Sequence, residues 1–262
     1  MSKFLDRLEK INQGAARSLG FGASAQAETL PAMALIGALS NSGKSAKGAA
    51  NLAKIGADGA LVQGGNGKAA IKQVGGALDS VPWGLRVEGL DGKEANSYKE
   101  QGCDFLAFGP EKVMLGALGD EDTGYLLCVK PDMDERQLNT VEGLPVDGVL
   151  LKLDSAQPPL TIEDLIAIGS VRMAFSKYLL LEMSGVPTAR ELEALRDIGV
   201  NGLVVDADSL PVKKLEELKK RMSSLPKPPK AKSGLASAVL PRMPKAADVL
   251  PAQEEEEWDD DE

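Results

Sequence analysis

Apolar side chains in this chain fall into short runs separated by longer stretches of mixed polarity. Phe4, Leu8 and Ile11, at i, i+4 and i+7, predict a short amphipathic helix over residues 2–13. From about Pro31 to Ser223 a different rhythm takes over. Four segments begin alike: Gly56-Ala-Asp-Gly-Ala-Leu-Val, Gly102-Cys-Asp-Phe-Leu-Ala-Phe, Pro145-Val-Asp-Gly-Val-Leu-Leu and Gly199-Val-Asn-Gly-Leu-Val-Val. A turn residue and then a β-rich run read as a helix ending and a strand beginning. Between them lie four further apolar runs, Met33–Leu39, Trp83–Glu88, Tyr125–Lys130 and Tyr178–Met183.

The intervening segments Ser45–Ile55, Lys68–Leu78, Thr161–Ile168, Thr188–Ile198 and Val212–Met222 have helical periodicity, and Lys112–Leu118 is a shorter helix candidate. Strands alternating with helices throughout one core predict an α/β chain folded as a (β/α)8 TIM barrel, with an open doubly wound sheet as the alternative. The expected organisation is an N-terminal helix and lead-in over 1–30, the barrel over 31–224, and a Pro-rich segment over 225–262 ending in acids around Trp258. That last segment reads as a disordered, solubilising acidic tail, and a protein partner docking on it is the alternative.

Composition narrows the chemistry. The 262 residues contain no histidine, which excludes His-ligated zinc, Ser-His-Asp and Cys-His catalysis and any imidazole acid or base. Two cysteines, Cys103 and Cys128, are too few for a disulfide framework and fit a cytoplasmic chain; both read as small core residues. A formal charge of −9 without a basic patch argues against nucleic acid as a partner. Charges interrupt every apolar run near the N-terminus, so no signal peptide is expected, and no window is long and apolar enough to span a membrane.

On a barrel strand the outward face packs on helices, so charged positions point inward or cluster at the strand's end. Alternation then turns Arg86, Glu88, Lys130, Lys152, Asp154, Glu182 and Asp206 toward the C-terminal mouth, where barrel active sites lie. The plainer alternative is an internal salt-bridge network, although burying such a network for stability alone gains little. Within the cluster, Lys152 is the candidate nucleophile or electrostatic catalyst, an expectation resting on a buried lysine beside another cation. Glu182 and Asp154 are the candidate proton-transfer groups. Arg86, Glu88 and Lys130 are candidate ligand-binding groups, with Arg86 and Lys130 as anchors for a substrate carboxylate or phosphate. No motif calls for a cofactor or a resident metal. Asp206, Asp208 and Glu182 could hold Mg²⁺, but a helix N-cap role for Asp208 or Ser209 ahead of Pro211 is preferred. Ser42-Gly-Lys-Ser45 imitates a phosphate-binding P-loop but has Ala38 where the motif needs glycine.

The run from Leu181 to Val205, with Glu182-Met-Ser-Gly-Val-Pro-Thr at its head, resembles the last two strand-helix units of the phosphate-binding barrels, among them those of tryptophan and histidine biosynthesis and thiamine-phosphate synthase. The resemblance implies that Ser184 and Gly185 present backbone amides to a ligand phosphate after the seventh strand. It departs after the eighth, where Asp206-Ala-Asp208 replaces the expected glycine turn and would repel a phosphate dianion. The function expected is a lyase- or isomerase-type enzyme acting on a small carbonyl metabolite, phosphorylated or not. The alternative is a non-catalytic barrel that binds or scaffolds a protein after losing its phosphate site. A homo-oligomer fits either reading.

Overall fold

Every apolar run becomes a strand. The structure, a computed structural model, describes residues 1–13, 30–40, 45–63, 68–153 and 157–226. The strands are β1 (Ala34–Leu39), β2 (Gly59–Gln63), β3 (Trp83–Val87), β4 (Phe105–Phe108), β5 (Gly124–Val129), β6 (Gly148–Lys152), β7 (Tyr178–Met183) and β8 (Gly202–Asp206). They pair in parallel in sequence order, and β8 returns to β1 to close the barrel. Closure rules out the open doubly wound sheet.

The helices are α1 (Lys3–Gln13), α2 (Ser45–Ile55), α3 (Lys68–Leu78), α4 (Gly92–Glu100), α5 (Glu135–Thr140), α6 (Ile162–Met173), α7 (Ala189–Ile198) and α8 (Val212–Ser224). The candidate helix Lys112–Leu118 shrinks to a single 3-10 turn at Leu115–Ala117, and Val113 instead makes a parallel bridge to Leu90. α4 and α5 were not expected. α4 buries no side chain, so no apolar stripe announces it; its start is held by a capping box between Asp91 and Glu94. Similar boxes at Thr161 and Thr188 start α6 and α7. The barrel's packing also runs slightly past the expected boundary at 224: Leu225 lies against the core and the Pro226 carbonyl accepts from Arg196. Residues from 227 onward, with the expected tail, lie outside the described residues.

Alternation sorts the strands into two faces. Val149 and Leu151 of β6 join the outer core beneath the helices, whereas Leu150 faces the barrel interior with Ile36, Leu61, Leu126, Leu180 and Val204. The interior is therefore packed with aliphatic side chains rather than open as a pore. Phe4, Leu8 and Ile11 of α1 belong to the same interior cluster. Instead of leading into the barrel, α1 plugs its N-terminal end, where the Phe4 ring stacks on Phe105 with centroids 4.3 Å apart. Gly59 makes room for it, since a Cβ there would meet the Phe4 ring at 2.8 Å.

The repeated acid or amide before the even-numbered strands has one structural job done in two ways. Asp58, Asp147 and Asn201 each accept from the backbone N–H of the second residue of a neighbouring strand: Leu35 at 3.0 Å, Tyr125 at 2.7 Å and Leu179 at 2.8 Å. These amides lie one residue inside the strand and need a partner. Asp58 also pairs with Arg7 of α1 at 3.0 Å and Asn201 reaches Asn12, while Asp104, in the fourth copy, turns its carboxylate wholly to the start of α1. Its carboxylate accepts from the Lys3 and Phe4 amides at 2.9 and 2.8 Å and from the Ser2 hydroxyl at 2.7 Å. The barrel thus caps its own plug.

Candidate functional site

The C-terminal ends of the strands surround a cavity of about 260 Å³, lined by Ala38 and Leu39 at the end of β1 and Ser40 after it, Gln63 of β2, Lys152 and Leu153, Glu182, Met183 and Ser184, and Asp206. In-register pairing places Lys152 beside Glu182 and Ala38 beside Asp206, so the strand ladder itself sets these polar groups side by side.

Arg86 and Glu182 come from β3 and β7, opposite walls of the barrel, and meet across its interior. Arg86 Nη1 donates to Glu182 Oε1 at 3.2 Å, and Nη2 donates to Oε2 in the second arm of the fork. Both side chains are about one-fifth exposed, at 21% and 19%. Burial works against the Arg86 charge, and the Glu182 carboxylate outweighs it, holding the guanidinium above its ordinary value. Cys128 stands beside this pair; burial pushes its thiol up, and Arg86 partly offsets that. Alternation from Leu126 could have found Cys128 on the inward face, which sequence reasoning assigned simply to the core.

Lys152 is exposed at the mouth and makes no hydrogen bond or ion pair with any described residue. The burial beside a second cation on which its expected activation rested is absent: its strand partner is Glu182, and Arg86 is matched by that same glutamate. Glu88 and Lys130 lie one residue beyond their strands, exposed, and do not line the cavity. Asp154 falls outside the described residues, as do residues 41–44 of the P-loop-like segment.

The turn after β8 is organised by its two acids. Asp206 Oδ1 accepts from the Asp208 and Ser209 amides at 2.9 and 3.2 Å, and the Ser209 hydroxyl donates to Oδ2. Asp208 Oδ2 accepts from the Ser40 amide at 2.7 Å and from the Ser40 and Ser45 hydroxyls at 2.5 and 3.3 Å. Asp208 therefore ties the end of β8 to the end of β1 and the start of α2. The expected N-cap role is absent: α8 begins after Pro211 without a side-chain cap. The amides of this turn already hold a carboxylate of the chain's own. After β7, Ser184 is exposed at the cavity and Gly185 adopts φ +88°, where a Cβ would also press on Pro158 at 3.2 Å. Ser40 is a polar lining residue that sequence reasoning missed; a serine at a strand end carries no signal by itself. Among the described residues no group of three acids or thiols is arranged to hold a metal ion. No helix among them is long and apolar enough to cross a membrane.

The fold and the placement of this cavity define a (β/α)8 barrel with its polar residues gathered at the C-terminal mouth. Tryptophan synthase from M. tuberculosis is similar in structure, with a TM-score of 0.59 and 13% identity over 85% of this chain and 97% of that one. A mutant tryptophan synthase alpha-subunit from Pyrococcus furiosus has a TM-score of 0.58 and 14% identity over 72% and 96%. A 3-hexulose-6-phosphate synthase has 0.53 and 18% over 71% and 99%. These likenesses extend over the whole barrel and show its fold. No protein-family model and no curated protein sequence matches the chain.

Proposed function

We propose that the chain is a lyase- or isomerase-type barrel enzyme that takes a small anionic carbonyl compound at its C-terminal mouth. The observation that carries the reading is Lys152: an ammonium lining a cavity of about 260 Å³, with no partner among the described residues. A volume near the lower end of small-molecule sites favours a metabolite of few heavy atoms. Lys152 is the nucleophile or the electrostatic catalyst. As a nucleophile its neutral amine adds to the substrate carbonyl carbon, and loss of water leaves a protonated C=N bond that withdraws electrons from the neighbouring carbon. Proton transfer falls to Glu182 and Asp154, while Arg86 sets the Glu182 carboxylate through its two hydrogen bonds. Ser184 and Gly185 contact the ligand from the β7 turn, with Asp206 beside them at the end of the neighbouring strand β8. Lys130 and Glu88 act from the rim.

Borohydride reduction in the presence of 2-oxo acids and phosphorylated ketoses, followed by peptide mass mapping, tests the reading together with a thermal-shift screen. An adduct on Lys152, or a ligand-induced rise in melting temperature abolished by Lys152→Met, supports it. Absence of both across the library overturns it. The rival reading, a non-catalytic barrel, is favoured by the β8 turn, whose amides are filled by Asp206.

A further inference from the structure

The cavity at the mouth has two unlike ends. At one stand Lys152 of β6 and Glu182 of β7, the latter engaged by Arg86. The other end is built from β2, β1 and β8. In a closed ring of eight strands β2 lies opposite β6, so Gln63 and Lys152 stand on opposite sides of the mouth. Alternation turns Gln63 inward, on the face of Gly59 and Leu61, which meet the Phe4 ring and the interior cluster. Its side-chain amide makes no hydrogen bond with any described residue. Such an amide offers two donors and an acceptor to whatever enters. Beside it β1 presents Ala38, whose methyl leaves the space open, and β8 presents Asp206, the register partner of Ala38. Asp206 accepts from two amides and the Ser209 hydroxyl, and no described cation pairs with it. Its carboxylate keeps a lone pair for one more donor.

We propose that the β2–β1–β8 end of the cavity is a hydroxyl subsite, so that the compound taken here ends in a free hydroxyl and not in a phosphate. The proposal rests on the reading of Lys152 as the group that meets the substrate's carbonyl, and it assigns the opposite end of the same molecule. Charge decides between the two endings. Lys152 is the one cation among the described lining residues, and it stands at the far end. Arg86, the register partner of Gln63, has its fork filled by Glu182. A phosphate beside Gln63 would therefore meet the Asp206 charge with no described cation to offset it, and like charges repel more strongly in a partly dehydrated site. A hydroxyl meets the reverse situation, donating to the Asp206 carboxylate and accepting from the Gln63 amide. A methyl ending would displace water from both groups and replace none of its hydrogen bonds.

Isothermal titration calorimetry of the full chain with three matched 2-oxo acids tests this: 2-oxobutanoate, 4-hydroxy-2-oxobutanoate and the phosphate ester of the latter. The hydroxyl compound should bind about 10-fold more tightly than the methyl compound. It should also bind at least ~10-fold more tightly than the phosphate ester. Gln63→Leu, close in volume and set at a cavity wall, should leave the melting temperature unchanged and reduce the preference for hydroxyl over methyl to about 3-fold or less. Asp206→Asn, which keeps an acceptor for the turn amides, should narrow the gap to the phosphate ester. Equal binding of the methyl and hydroxyl compounds, abolished in both cases by Lys152→Met, overturns the subsite and leaves the reading of Lys152 standing. A phosphate ester that binds most tightly does the same, as does a hydroxyl preference that survives Gln63→Leu. Binding of none of the three overturns the subsite, and borohydride trapping then decides the reading of Lys152 separately.

Discussion

Removing the Phe4 ring asks whether α1 is part of the barrel's core or a helix resting on it. Phe4 is fully buried, stacked on Phe105, and it occupies the space Gly59 leaves at the N-terminal end. Its surroundings are strands of a closed sheet, which cannot move inward without breaking the ladder, so Phe4→Ala leaves a cavity that collapses poorly. Buried Phe→Ala changes cost about 3–5 kcal/mol, and the limited relaxation here places the expectation near 4 kcal/mol. Phe4→Leu, which keeps most of the volume but loses the ring stack, should cost about 1–1.5 kcal/mol. A double-mutant cycle sharpens the test. Gly59→Ala alone should destabilise because its methyl meets the Phe4 ring, whereas in a Phe4→Ala background the methyl enters the cavity and the penalty falls. The coupling should be about 1–2 kcal/mol. Urea unfolding followed by circular dichroism reads each value. A loss below about 1 kcal/mol for Phe4→Ala, or additivity with Gly59→Ala, would mean that α1 is not core and that the packing argument is wrong.

Two further predictions concern titratable groups. Lys99 reaches Asp120 at 2.7 Å and Asp122 at 3.3 Å; its hydrogen bond is the main cause holding the Asp120 carboxyl below the usual range, and Asp122 is lowered first by the Met1 ammonium and then by Lys99. Carboxyls lowered in the folded state stabilise above their ordinary value and lose that contribution as pH falls through the lowered one. Lys99→Met should therefore reduce stability at neutral pH, leave it unchanged near pH ~2, and flatten the acid limb between; an unchanged slope refutes the assignment. Cys103 is buried, its thiol pushed up to about 12 by desolvation and donating to the Phe105 carbonyl at 3.1 Å. It should resist an aromatic disulfide reagent at mildly alkaline pH until the chain unfolds, and peptide mapping that finds native Cys103 modified contradicts this.

The strands were legible because each is an apolar run bounded by turn chemistry, and the barrel followed from their alternation with helices. The expected runs Trp83–Glu88 and Tyr178–Met183 differ from β3 and β7 by at most one residue. Local signals also revealed that Arg86 and Glu182 face inward, since an outward charge at either place would lie beneath a helix. What they could not reveal is that the two answer each other: β3 and β7 become opposite walls when β8 pairs with β1, a fact of closure rather than of either strand. The same distinction explains α1. Its stripe of Phe4, Leu8 and Ile11 is plain in the sequence, but its destination depends on Asp104, about a hundred residues away, and on Gly59, which looks like any turn glycine. The repeated Asp or Asn before the even strands reads as four equivalent positions; in the structure three side chains accept from strand amides, two of them, Asp58 and Asn201, also reaching Arg7 and Asn12 of α1, while Asp104 accepts only from the start of the plug. Asp104 differs from its counterparts in being followed by Phe105 instead of glycine, and that exchange now has a reason: the large ring at this one position stacks on Phe4, beside the carboxylate that caps its helix. The departure from the repeat was the sequence's own mark of where the plug docks, and it could be read as such once the barrel had closed around it.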